Sequence, residues 1–173
     1  MTLVNDRPPD SPAAEPPLPR EGVLLGIDYG TKRVGVAVSD MYQKYASPLV
    51  NHQRQGRQGD ERFFRRLLPE YRPVGLVVGL PIHLSGDESE KSREARRFGA
   101  WLSSLLSLPV DFQDERFSSF QAEQLLQQAE LTTKQRKARL DKLAAQILLQ
   151  TFLDARIRSE SPPAPTTDST PPA

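Results

Sequence analysis

The chain has 173 residues, enough for one domain, and no cysteine, which excludes both a disulfide framework and a thiolate metal site. Its formal charge of +1 conceals a basic middle: residues 21–159 hold 21 basic and 17 acidic side chains, a net of +4 that permits nucleic acid without demanding it.

The first element in chain order is a tail. Six of the sixteen prolines fall in residues 1–20 and five more in 160–173, and both stretches are poor in large apolar residues. Residues 1–20 and 159–173 are therefore expected to be disordered, with one folded domain at 21–158. The first tail lacks the apolar core of a signal peptide, and no apolar run is long enough to cross a bilayer. A cytoplasmic protein with no membrane partner is the expectation.

Val23 to Ile27 is an apolar run without charge, as in a strand buried on both faces. Gly30-Thr31-Lys32 is a tight turn, and Val34, Val36 and Val38 then alternate with small residues as a second strand. Tyr45 to Asn51 reads as a third strand, with Pro48 placing it at a sheet edge. A polar loop, Gln53 to Gly59, leads into a short helix that buries Phe63, Phe64, Leu67 and Leu68, with Pro69 set to end it early. Val74 to Gly79 is a further apolar strand. Asp87, Glu88 and Glu90 then place negative charge at a helix N-terminus, and that helix runs to about Ser107 with Ala95, Phe98, Leu102, Leu105 and Leu106 as its apolar stripe. Leu108 to Gln113 is a short strand. Ser118 with Gln121 signals the start of another helix, and Thr132 with Gln135 the start of the last, which extends to about Ile157. An antiparallel meander followed by βα units predicts an α/β fold, a mixed five-stranded sheet flanked by helices.

Three acidic positions stand out. Asp28 ends an apolar strand, where a carboxylate loses hydration and needs a donor, a cation or a metal ion. Taken alone, hydrogen bonds from the glycine-rich turn would explain it as well as catalysis does. Asp114 and Glu115 close another strand. On the last helix, Lys142, Gln146, Gln150 and Asp154 share a polar face, while Asp141 falls with Ala144, Ala145, Leu148 and Phe152 on the apolar one. Asp141 could simply answer the helix dipole. Sites in open sheets form beyond the carboxyl ends of parallel strands, however, and there Asp28, Asp114-Glu115 and the Asp141 helix would converge.

Clustered carboxylates repel unless cations bind. With no cysteine and only His52 and His83, the ligands are hard oxygens, which suit Mg²⁺ or Mn²⁺. Two such ions about 4 Å apart can activate a water and stabilise the leaving oxygen of a phosphodiester. Arg116, Lys32, Arg33, Lys134, Arg136, Lys137 and Arg139 are candidates to hold a nucleic-acid backbone around such a site. Tyr29 and Tyr42 are the nearest aromatics for base stacking.

The stretch Gly26-Ile27-Asp28-Tyr29-Gly30-Thr31-Lys32-Arg33-Val34-Gly35 through Asp40 resembles the opening motif of the YqgF/RuvX family. Gly79-Leu80-Pro81 with Gly86, Asp114-Glu115-Arg116-Phe117-Ser118-Ser119, and Asp141 through Gln150 resemble its second, third and fourth motifs. The match spans roughly residues 22–155; Lys142 departs from it, standing where a small residue is usual. The resemblance implies an RNase H-like fold related to Holliday junction resolvases. It also implies a nuclease acting either on the 5′ end of precursor 16S rRNA or on branched DNA. Carried over motif by motif, the catalytic, metal-binding acids would be Asp28, Glu115 and Asp141, with Asp114 in reserve.

Two other readings are compatible with parts of the chain. The Gly-Ile-Asp-x-Gly-Thr opening is also similar to the phosphate loop of the actin, Hsp70 and sugar-kinase superfamily, an ATP-dependent phosphotransferase class that clamps its nucleotide between two such domains. The folded part here has room for one. A non-catalytic RNA- or ribosome-binding module would have no need of all three acids. A resolvase would further require a homodimer to make two symmetric cuts.

Overall fold

The computed structural model describes residues 17–81, 89–115 and 133–160, apart from the side chains of 133–142 and 160. Strands β1 (Leu24–Tyr29), β2 (Arg33–Ser39) and β3 (Ala46–Gln53) lead to helix α1 (Gly56–Tyr71). Strand β4 (Gly75–Leu80), helix α2 (Glu90–Leu106), strand β5 (Val110–Asp114) and helix α3 (Thr133–Glu160) follow. One five-stranded sheet has the order β3-β2-β1-β4-β5. The β1–β2 and β2–β3 pairs are antiparallel, and β4 lies parallel to both β1 and β5. This is the mixed sheet with flanking helices expected of an RNase H-like fold, with β3 at an edge as Pro48 predicts.

The sheet's pleat sorts the core into two layers. Leu25, Ile27, Val34, Val36, Leu76 and Val78 face α1 and α2, packing with Phe64, Phe98 and Leu102. Leu24, Ala37 and Val77 face the other way, toward Leu148, Leu149, Phe152 and Leu153 of α3. Successive strand residues point to opposite faces, so the uncharged apolar runs of β1 and β4 are what two-sided burial requires.

Local signals explain most of the element ends. Ser89 caps α2, its Oγ accepting from the Ser92 amide at 3.1 Å and donating to the Pro81 carbonyl at 2.9 Å. That bond ties the exit of β4 to the start of α2. Helix α1 differs from expectation, continuing through Pro69 to Tyr71 before Arg72 caps it in a left-handed conformation. A proline this near the C-terminus removes one helical bond, and the Arg72 amide restores a terminal one by donating to the Leu68 carbonyl. The polar loop is also shorter than expected, since β3 runs to Gln53 and α1 begins at Gly56.

The packed part of the chain begins earlier than residue 21. Leu18 is buried in the α3-side core. Its carbonyl accepts from Arg156 at 2.9 Å, and the Pro19 carbonyl accepts from Gln43 at 3.0 Å. A single leucine between prolines has no periodicity to mark it as core.

Two glutamines dock α3 on the sheet edge. Gln146 donates to the Ala46 carbonyl at 2.9 Å, and Gln150 accepts from the Ala46 amide at 2.8 Å. The polar face of α3 thus satisfies backbone groups at the start of β3. Among the described residues, no helix is long and apolar enough to cross a membrane. The expected helix near Ser118 and the tails before residue 17 and after 160 lie outside the described residues.

Candidate active site

The carboxyl ends of β1, β4 and β5 lie side by side, with Ile27 opposite Val78 and Leu80 opposite Asp114. Asp28 follows Ile27 and pairs across β2 with Gly35. By strand alternation it shares the α3 face with Leu24, whereas Tyr29 turns to the α1/α2 side, its ring 5.1 Å from that of Phe98. Gly35 keeps the space beside Asp28 open. A Cβ there would lie 3.4 Å from the Asp28 Cβ, 3.7 Å from its Oδ2 and 3.3 Å from the Ala145 Cβ. Ala145 of α3 and Asp28 thus both border the space above Gly35, and position 141 is one helical turn before Ala145.

Glu115 follows directly after β5 and is partly buried. Its carboxyl is pushed up to about 7, first by burial and then by the negative charges of Asp28 and Asp114, with Lys91 pulling the other way. Gly79 makes room for it, since a Cβ at that position would collide with both Glu115 Oε1 and Leu148. The sheet thus brings together Asp28, Asp114 and Glu115, three acids expected to converge. The side chains of Asp141, Lys134, Arg136, Lys137 and Arg139 lie outside the described residues, as do Arg116 and His83.

The cleft at Asp28 encloses about 450 Å³ and is lined also by Lys32, Arg33, Asn51, Lys91 and Glu94. Lys32 and Arg33 are exposed at its mouth, where a polyanion would meet them. Lys91 is an addition to the expected set. It sits in the first turn of α2, so the bond from Ser89 to Pro81 also positions this cation over the strand ends. His52 is not at the site; it bonds Asp60 at 3.0 Å and stacks on Phe63. Tyr42 is exposed and does not line the cleft.

Among the described residues no group of three potential ligands is close enough to enclose a metal ion on its own. The donor chemistry nevertheless suits one. Hard carboxylate oxygens whose negative charges raise the proton affinity of Glu115 offer a divalent cation the same kind of electrostatic gain that they offer a proton.

A family model described as "RuvX: Holliday junction resolvase" matches residues 22–155. A protein of Rhodopirellula baltica named "Putative pre-16S rRNA nuclease" is 43% identical over 154 residues, covering 88% of this chain and 89% of the relative. One of Lactococcus lactis subsp. cremoris with the same name is 42% identical over 134 residues, covering 76% of this chain and 94% of the relative. Among solved structures, T. thermophilus RuvC in complex with Holliday junction substrate aligns with a TM-score of 0.48 at 14% identity, over 80% of this chain and 97% of that one.

Proposed function

This chain belongs to the RuvX family, and on that footing we propose that it is a cytoplasmic, divalent-metal-dependent endonuclease that hydrolyses phosphodiesters of structured nucleic acid. The observation that carries this reading is the meeting of Asp28, Asp114 and Glu115 at the carboxyl ends of neighbouring strands, beside a cleft lined by Lys32 and Arg33. Burial and the negative charges of Asp28 and Asp114 push the Glu115 carboxyl up to about 7, which fits a site organised to receive positive charge.

Asp28, Glu115 and Asp141 would hold Mg²⁺ or Mn²⁺, with Asp114 in reserve. The metal, as a pair of ions, would supply an activated water and stabilise the departing oxygen. The remaining tasks fall to the protein. Lys32 and Arg33 at the cleft mouth attract and align the phosphate backbone, and Arg116 with the basic run at Lys134, Arg136, Lys137 and Arg139 would extend that grip. Lys91, already felt by Glu115, limits the charge that accumulates among the acids.

The names of the relatives favour a precursor 16S rRNA leader as substrate, and the family description favours a four-way junction. A matched assay separates them. Wild type and Asp28→Asn are each given a labelled junction and a labelled leader with Mn²⁺, Mg²⁺ or EDTA. Leader cleavage that vanishes in EDTA and in the variant supports rRNA processing. Paired symmetric cuts in the junction support a dimeric resolvase. Equal cleavage in EDTA and in Mn²⁺ would refute the metal-dependent mechanism.

A further inference from the structure

A second cleft, of about 370 Å³, opens on the α1/α2 side of the sheet. Tyr29, Phe98 and Trp101 line it together with Arg54, Arg57 and Arg97. The aromatic rings run in series, with centroids 5.1 Å apart from Tyr29 to Phe98 and 5.3 Å from Phe98 to Trp101. Arg54 lies over Tyr29 and Phe98, at 5.4 and 5.1 Å from their ring centroids. It is fixed there as a wall, because its Nε donates to the buried Asp60 at 2.9 Å. Arg57 stands 5.6 Å over the Trp101 ring. Arg97 and Trp101 are four residues apart on α2 and so share a face.

Arg57 and Arg97 are exposed, and neither forms an ion pair with a described residue. Among the described residues Glu94 is the one acid in the lining, and it accepts from the Tyr29 hydroxyl at 3.4 Å. The described lining, three arginines against one glutamate, is therefore cationic with an aromatic floor. It shares Tyr29 and Glu94 with the cleft that contains Asp28.

We propose that this cleft is a stacking subsite for an unpaired base of the nucleic-acid strand whose backbone enters the carboxylate cleft, with Trp101 as the platform and Arg57 and Arg97 holding the flanking phosphates. The inference rests on the nuclease reading above and adds a recognition rule to it. A duplex base shows only its edge, whereas a splayed base offers the face that an aromatic side chain or an arginine can cover. Continuity with the Asp28 cleft, together with positive charge, selects a nucleic-acid strand over an acidic peptide as the occupant. Single-stranded RNA and DNA share the chemistry, and the test has an arm for each.

Trp101 is the only tryptophan of the chain, so its emission reports on this cleft alone. The full protein in EDTA is titrated with a short labelled oligouridylate, an oligothymidylate and a blunt duplex, while label anisotropy follows binding independently. The expected result is saturable quenching by a single strand, with RNA and DNA compared directly, and little by the duplex. Trp101→Ala should weaken single-strand affinity about tenfold or more, with Trp101→Phe retaining most of it. The Arg57→Ala/Arg97→Ala double variant should bind more weakly and with a shallower salt dependence. Anisotropy that reports binding while tryptophan emission stays constant overturns the subsite, as does equal quenching by the duplex or an absence of binding. Metal-dependent cleavage is measured in parallel. A protein that cleaves while Trp101 stays silent refutes the subsite alone. One that quenches but never cleaves supports the subsite and counts against the nuclease.

Discussion

Gly79 lies directly beneath Glu115, in the space that a side chain of its own would take from both Glu115 Oε1 and Leu148. The absence of a Cβ on β4 thus lets α3 and the residue after β5 meet over the sheet.

Gly79→Ala should therefore damage site and core together. Overpacking of this kind costs about 1–3 kcal/mol, and the displaced Glu115 should lower metal-dependent cleavage by at least tenfold. Urea unfolding and a single-turnover assay on the same preparation check both. An alanine variant as stable and as active as wild type would show that Leu148 and Glu115 can move aside freely.

Glu115 should make the metal-free protein less stable as pH rises. Its ordinary value of 4.5 is raised to about 7 in the fold, so between those values the folded state holds a proton that the unfolded chain has released. Its contribution is thus intact below about pH 4.5 and is lost as pH climbs through about 7. Glu115→Gln removes that slope. In EDTA at pH 8 the variant should be the more stable protein, by on the order of 1–3 kcal/mol, and the two should converge near pH 4.5. Mn²⁺ should raise the melting temperature of wild type more than that of the variant. Parallel pH slopes in the two proteins would count against this account.

Asp60 should behave in the opposite sense. It is fully buried, which alone would raise its carboxyl. Hydrogen bonds from Arg54, His52 and the Gln55 amide, with the Arg54 charge, reverse that and hold it below the ordinary value of 3.8. The stabilisation is present above that value and disappears as pH falls through the lower folded one. Asp60→Asn should cost about 3 kcal/mol near neutrality, because Arg54 loses its charged partner, and the gap should narrow below pH 4. Denaturant melts at pH 7 and pH 3.5 test this.

Deletion of residues 1–16 should leave the melting temperature almost unchanged, as their composition suggests. Deletion of 1–20 should cost about 2 kcal/mol, because it uncovers the pocket of Leu18 and removes the carbonyls that Arg156 and Gln43 engage. Differential scanning calorimetry on the two truncations distinguishes them.

The mixed sheet with flanking helices, and the acids at the ends of β1 and β5, were legible because their signals are local. Apolar runs punctuated by Gly and Pro mark the strands, and a carboxylate at the end of such a run is conspicuous. Lys91, the Arg54–Asp60 pair and the Trp101 cleft were not, because each depends on where folding sets an ordinary surface-type residue: Lys91 beside the strand ends, Arg54 against Asp60 in the β3–α1 connection, and that connection against α2. Arg54, Arg57, Arg97 and Trp101 are unremarkable one by one. Leu18 escaped notice for the converse reason, as an isolated apolar residue in a segment of disorder-prone composition.

Asp28 and Tyr29 are neighbours in sequence that look out on opposite sides of β1. If both proposed roles hold, the residue that cuts and the residue beside the base are geared to one another by a single peptide unit. A slip of β1 by one position would send the carboxylate among the aromatic rings and the tyrosine among the acids, abolishing grip and scission in one step. Loops around the sheet can change length and leave the two functions coupled. The phase of this one strand cannot change without losing both.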